Sequence, residues 1–302
     1  MKLRLFCAAL AFAMAAPAFS ASVTQPDGTP YVMADTEVRN LHARELGRDY
    51  QIFVSLPKNY SSTGPALPVV FVTDADYAFP LVRAINSRLA GHSKALAPFI
   101  LVGLSYAVGD TGEYSRRRDY TPTDNPSETY ISDMPGRKPA FGEAEGYRRF
   151  LENEVLPLVK AQYRVDMARS VFVGHSYGSL LGTHILLTQP SMFAKYVISS
   201  PSLWFNKGLM FTREKEYAAT HRELKADIFF SAGGFEAVKR GDPRYNDDTD
   251  MVADVRRFDA ILRSRHYAGL HTQLHVFENK DHLDVFPDMI TAALKWSVPG
   301  NK

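Results

Sequence analysis

With 302 residues, 45% hydrophobic and 23% charged, the chain is long enough to bury a full core as one large α/β domain and too ordinary in composition to be read as disordered. Its 35 Lys and Arg stand against 33 Asp and Glu, a balance that excludes a strong general attraction to nucleic acid or to an anionic membrane surface. The single cysteine, Cys7, excludes an internal disulfide.

In chain order, residues 1–20 have the build of a secretory signal peptide. Lys2 and Arg4 form a basic start, Leu5 to Ala16 is apolar, and Ala16-Pro17-Ala18 or Ala18-Phe19-Ser20 offers a small-residue cleavage site. Cleavage would remove Cys7 with Lys2 and Arg4, leaving 33 basic against 33 acidic residues and no thiol. No later stretch is apolar over the length a spanning helix needs. The expectation is therefore an exported protein, periplasmic or secreted, with no membrane insertion after cleavage and residues 21–302 as a single domain.

After a polar leader, Glu37 to Ala43 and Asp49 to Leu56 read as two strands joined at Leu46-Gly47-Arg48. Tyr50, Ile52, Val54 and Leu56 give the second strand the period of two expected of an edge hairpin. Val69 to Val72 is a continuous apolar run, as for a central strand covered on both faces. Leu81 to Leu89 reads as a helix and Phe99 to Leu104 as a further buried strand. Ser105 to Phe141 is rich in Pro, Gly, Asp and Arg without a hydrophobic period, which predicts a long functional loop or lid. Glu143 to Tyr163 returns to helical spacing.

Ser170 to Val173 is the next strand, and it runs into Gly174-His175-Ser176-Tyr177-Gly178 and a small-residue helix from Ser179 to Thr188. A serine at the tip of a strand–helix elbow needs neighbours without a Cβ, because the chain turns tightly against the adjacent strand. Ser176 then stands at a helix N-terminus, where the N–H of Tyr177 can stabilise an oxyanion. Tyr196 to Ser199 and Asp227 to Ser231 read as strands, and Leu203 to Arg222 as helical in part. A helix is marked by Met251, Val255, Phe258, Ile261 and Leu262. Leu270 to Phe277 is a last strand, and Pro287 to Trp296 a closing helix. Strands alternating with helices predict an α/β fold, a mostly parallel sheet with helices on both faces.

In such a sheet the reacting groups gather beyond the carboxyl ends of the strands. A serine hydroxyl needs a base, and the base needs a third group to fix its tautomer. His282 follows the last strand and holds the slot for the base. His175 adjoins the serine, but its side chain is expected to leave the elbow in another direction and to be structural. Glu236 follows the Asp227–Ser231 strand and is the candidate acid. Its rivals Asp242, Asp247, Asp248 and Asp250 read as a solvated acidic turn without the spacing of a calcium loop. The order Ser, acid, His is that of α/β-hydrolases. The second oxyanion donor is expected from the backbone N–H of Asp76, in the loop Thr73 to Tyr77, where Asp74 also reads as a simple cap.

These residues carry a family resemblance. Val69-Val70-Phe71-Val72-Thr73-Asp74, Arg118-Asp119-Tyr120-Thr121-Pro122, Phe150 to Pro157, the Ser176 pentapeptide and Ser200-Pro201-Ser202-Leu203-Trp204 occur in that order. Together they resemble the putative-esterase family of α/β-hydrolases, which includes siderophore trilactone esterases acting on enterobactin, salmochelin and bacillibactin, esterase D and the mycolyltransferases. The resemblance covers most of residues 21–302. It departs from the family at Asp74-Ala75, where Asp-Gly is usual. Some siderophore esterases are also described as working with a Ser–His pair, which bears on the role of Glu236.

The resemblance implies a serine esterase acting through an acyl-enzyme without a cofactor or protein-bound metal, with a siderophore trilactone or similar catecholate ester as substrate. Any iron would arrive chelated by that substrate. Arg116 and Arg118, in the run Arg116-Arg117-Arg118, are candidates to face an anionic ligand; the same run also reads as a solvated or salt-bridged segment. Trp204 either walls the substrate pocket or packs in the core. Other readings are a general or carbohydrate-ester carboxylesterase, a mycolyl-type acyltransferase, and a non-catalytic periplasmic ligand-binding protein on a hydrolase scaffold. The Ser, acid and His set argues against the last.

Overall fold

The computed structural model describes residues 28–125 and 132–300, so the expected signal peptide lies outside the described residues. The chain divides into two units, 1–34 and 35–302, and every helix and strand described falls in the second.

Alternation in the first strands produces an antiparallel hairpin, β1 (Thr36–Ala43) and β2 (Arg48–Ser55), turned at Gly47 with φ +62°. β3 (Leu67–Val72), α1 (Ala75–Ser93) and β4 (Ile100–Ala107) follow. Then come α2 (Gly112–Tyr120), α3 (Ala144–Phe150) and α4 (Leu156–Gln162). The second half alternates strictly. β5 (Val165–His175) leads to α5 (Tyr177–Thr188), and β6 (Lys195–Ser199) to α6 (Phe205–Thr220). β7 (Glu223–Gly233) leads to α7 (Met251–Ser264), and β8 (Ala268–Phe277) to α8 (Val285–Ser297).

Among the described residues the strands form one eight-stranded sheet in the order β1-β2-β4-β3-β5-β6-β7-β8, parallel from β4 onward. The apolar runs of β3 and β5 are buried on both faces. Val70, Val72, Val171 and Val173 pack under α1 and α8, while Val69, Phe71 and Phe172 pack with the opposite layer of α3, α5, α6 and α7. Each such fully buried side chain contributes about 1.5–3 kcal/mol. From β3 the chain crosses through α1 to β4 on one side. From β5 it crosses through α5 to β6 on the other, over the opposite face. The crevice between the carboxyl ends of β3 and β5 is thus a topological switch point, where open α/β sheets bind their ligands.

Two elements differ from the sequence expectation. The stretch from Ser105 to Phe141 is no continuous loop: Ser105 to Ala107 complete β4, and Gly112 to Tyr120 form α2, capped by Thr111 Oγ1 accepting from Tyr114 N at 3.3 Å. The residues α2 buries are Tyr114, Ser115, Arg118, Asp119 and Tyr120, a face held by polar bonds that leaves no hydrophobic period to read. The expected helix from Glu143 to Tyr163 is interrupted by a π-type turn over Leu151–Val155, where Leu156 N–H bonds the Leu151 carbonyl five residues back. Pro157 explains the interruption, because it has no N–H and its ring crowds the carbonyl four residues earlier.

Candidate active site

At the end of β5 the chain turns through Ser176, whose φ of 58° and ψ of −120° are unfavourable for a residue with a side chain. The elbow is held by Ser176 N–H donating to the Ser199 carbonyl at 3.1 Å. Ser179 Oγ bonds the carbonyls of Gly174 at 2.7 Å and Ser199 at 2.8 Å. A Cβ on Gly178 would lie 2.2 Å from Thr73 Oγ1, so only glycine lets the first turn of α5 close on the turn after β3. Ser176 itself is half-buried at the tip.

Beyond β7 and β8 two loops bring Glu236 and His282, the expected acid and base, together. Glu236 Oε1 lies 2.5 Å from Nδ1 of His282. The other oxygen, Oε2, accepts from Ser200 Oγ and from the Gly233 N–H, each at 2.6 Å. Burial at 1% exposure would by itself raise the carboxyl's pKa. The His282 contact, with the Ser200 and Gly233 hydrogen bonds, outweighs burial and holds the group below the usual value, so Glu236 is a carboxylate. A Cβ on Gly233 would stand 2.4 Å from the Lys280 carbonyl, so glycine is needed for the two loops to approach. Phe235 N–H ties them further, donating to the Lys280 carbonyl at 2.9 Å. Of the rivals to Glu236, Asp242 is taken by Arg244 at 2.7 Å, and Asp250 caps α7, accepting from Ala253 N at 2.7 Å.

The chain matches the profile of the family described as Putative esterase over residues 43–295. The protein belongs to that family. It is 28% identical to the ferri-bacillibactin esterase BesA of Bacillus subtilis, over 89% of this chain and 91% of the relative. It is 27% identical to the siderophore triacetylfusarinine C esterase of Aspergillus fumigatus, over 88% of this chain and 94% of the relative. The crystal structure of the BES protein from Bacillus cereus superposes with a TM-score of 0.73 at 23% identity, covering 90% of this chain and 99% of that one. The fold is that of an α/β-hydrolase, and the protein is a carboxylic ester hydrolase.

In this esterase the loop expected to give the second oxyanion donor, Thr73 to Tyr77 with the N–H of Asp76, begins at Thr73 and Asp74 against Gly178 of α5. Asp74 is fully buried with φ 55° and its carbonyl accepts from the N–H groups of Tyr77 at 3.3 Å and Ala78 at 3.1 Å, while Asp76 lies in the first turn of α1. The Asp76 side chain is exposed and accepts from Ser105 Oγ at 3.0 Å. Asp74 is more than a cap. Its Oδ1 accepts from Tyr106 OH at 2.8 Å and from Arg116 Nε at 2.9 Å.

The arginine run lies on α2, and its charges are directed at carboxylates. Arg116 pairs with Asp74 and places its guanidinium 5.4 Å from the centre of the Tyr177 ring. Arg117 pairs with Asp133 at 3.3 Å. Arg118, expected as a ligand-facing residue, is 4% exposed and bonds Asp119 at 2.8 and 3.0 Å and Asp110 at 2.7 Å. That corrects the expectation for Arg118: it holds α2 in place and has no open face for a substrate.

Trp204 is half-buried before α6, its ring 6.1 Å from that of Tyr177. Trp204 also lines a cavity of about 400 Å³, with Lys207, Phe211 and Arg257 among its other walls. Sequence reading missed Ser200, which braces Glu236, and the contact made by His175. That side chain turns toward the base: its ring lies 4.6 Å from the His282 ring. Ser200 opens the Ser200-to-Trp204 stretch that carries part of the family resemblance, but no sequence signal assigned it a role or set the direction of His175.

Proposed function

We propose that this protein is an exported serine esterase that hydrolyses siderophore esters, a catecholate trilactone being the favoured substrate. The observation that carries the reading is the 2.5 Å contact of Glu236 with His282 beside the Ser176 elbow. The names of the relatives supply the substrate class. Ser176 Oγ attacks the ester carbonyl while His282 Nε2 takes its proton. The tetrahedral oxyanion is met by the N–H of Tyr177 and by that of Asp76 at the opening of α1. His282 then gives the proton to the leaving alcohol oxygen, and an acyl-enzyme remains on Ser176. Water, deprotonated by His282, attacks that ester and releases the acid. Glu236 holds the Nδ1–H of His282 and stabilises the imidazolium that forms at each step. The iron of a loaded siderophore is cargo of the substrate.

The test is mass-spectrometric hydrolysis of ferric and iron-free enterobactin beside 4-nitrophenyl acetate, with Ser176→Ala as control. Ser176-dependent opening of the trilactone, faster than turnover of the simple ester, is the expected result. Turnover of the simple ester with an intact trilactone would keep the serine mechanism and remove the siderophore assignment. Export is tested separately by N-terminal sequencing of protein from the periplasmic fraction, which is expected to start within a few residues of Ala21.

A further inference from the structure

His175 is 5% exposed and touches the loop that carries His282. It directly precedes Ser176 in the chain. Its Nε2 lies 2.8 Å from the backbone carbonyl oxygen of His282, and its ring is tilted 36° on the His282 ring. A carbonyl only accepts, so the hydrogen sits on Nε2, and Nδ1 is left to accept from Ser199 Oγ at 3.5 Å. Phe286 closes the remaining side edge-on, with ring centres 5.8 Å apart. Burial and the neighbouring His282 push His175 down to about 3, so the ring is neutral.

The base itself lies on the loop between β8 and α8. That loop is braced internally by Asp281, whose Oδ1 accepts the N–H groups of Leu283 at 2.8 Å and Asp284 at 2.9 Å. It is tied to the acid's loop through Phe235 N–H and the Lys280 carbonyl. Neither tie reaches the nucleophile. The His175 bond does.

We propose that His175 is a positioning residue for this reaction: by donating from Nε2 to the His282 carbonyl it sets the separation of the Ser176 hydroxyl and the His282 ring. The inference rests on the Ser176–His282 reading above. A neutral donor also places no second positive charge beside the imidazolium that forms on His282.

The experiment is steady-state hydrolysis of 4-nitrophenyl acetate by wild type, Ser176→Ala, His175→Leu, His175→Asn and His175→Gln, with fluorophosphonate labelling of Ser176 in each. A glutamine amide reaches the position of Nε2 and an asparagine amide falls short. His175→Leu and His175→Asn should therefore lose about 30–100-fold in kcat with KM within about twofold. His175→Gln should stay within about fivefold of wild type, and labelling rates should follow kcat. Wild-type kcat in His175→Leu, or equal losses in the Gln and Asn variants, would overturn the proposal. If His175→Leu does not fold, the Gln and Asn pair decides alone. Absence of Ser176-dependent hydrolysis and labelling in wild type would instead overturn the serine reading, and this inference with it.

Discussion

Arg116 donates from Nε to Oδ1 of Asp74 at 2.9 Å, tying helix α2 to the turn that opens α1 beside the Ser176 elbow. Both side chains are withdrawn from solvent, at 13% and 1% exposure. A buried pair contributes little compared with an apolar packing, but removing one partner leaves the other charge stranded, at a cost of about 3–5 kcal/mol. Arg116→Ala should therefore lower the unfolding free energy by that order in a denaturant titration. Because Arg116 acts on the turn, kcat should fall alike for neutral and anionic esters. A loss confined to anionic esters would return Arg116 to substrate binding.

Glu236→Gln tests the acid. The amide presents an N–H to His282 Nδ1 where the carboxylate now accepts, and so favours the tautomer with its hydrogen on Nε2, which cannot take the serine proton. A loss of about 10²–10⁴-fold in kcat is expected, with fluorophosphonate labelling slowed in proportion. A loss below about tenfold would mean that Ser176 and His282 work as a pair.

Acid should destabilise the fold in two stages. His175 ionises near its ordinary 6.5 when unfolded and at about 3 when folded. Between those values the unfolded chain binds a proton that the folded chain does not, so stability drops by up to about 1.4 kcal/mol for each unit the pH is lowered. The Glu236 carboxyl is depressed below its ordinary 4.5, so its contribution is present above that value and is lost as pH falls through the folded pKa. Tm measured from pH 7 to 4 should therefore decline from about pH 6.5 and more steeply below about 4.5. His175→Gln should reduce the first stage, leaving the share of His184, whose burial also lowers its pKa, and should leave the second stage unchanged.

The elbow was legible in the sequence because its geometry dictates residue type: Gly174 and Gly178 stand where a side chain would meet backbone or the neighbouring turn. The placement of Glu236 and His282 was legible because sheet topology sends both to the same end. The role of the arginine run was not. Three adjacent arginines look alike in sequence, whereas Asp74, Asp110 and Asp133, which pair with them, come from other segments. Helix α2 was hidden for the same reason, since its buried face is bonded by charge.

The glycines give opposite expectations. A Cβ on Gly174 would lie 2.3 Å from the Gly178 carbonyl oxygen, and backbone cannot yield as a side-chain tip can. Gly174→Ala should cost about 3 kcal/mol or more and abolish hydrolysis. Gly91, exposed near the end of α1, has nothing within 4 Å of the same position. Gly91→Ala should stabilise by about 0.5–1 kcal/mol and leave kcat unchanged. Thermal melts and one ester assay measure both.

Trp204 packs near Tyr177, the residue after Ser176, and also lines the cavity formed with Lys207, Phe211 and Arg257. Asn206, Lys207 and Gly208 all have positive φ, at 44°, 58° and 78°, so the chain breaks out of helical geometry two residues after the tryptophan. Non-glycine residues in that region are strained, and the indole lines the cavity just ahead of that strained turn. An indole there would stack on an aromatic acyl group and make little contact with an acetyl group. Trp204→Ala should thus lower kcat/KM for a benzoate-type aryl ester by about tenfold and that for acetate by less than about twofold. If Trp204 serves packing alone, both substrates will fall together and Tm will fall with them. A selective loss at unchanged Tm would make the tryptophan a wall of the acyl site.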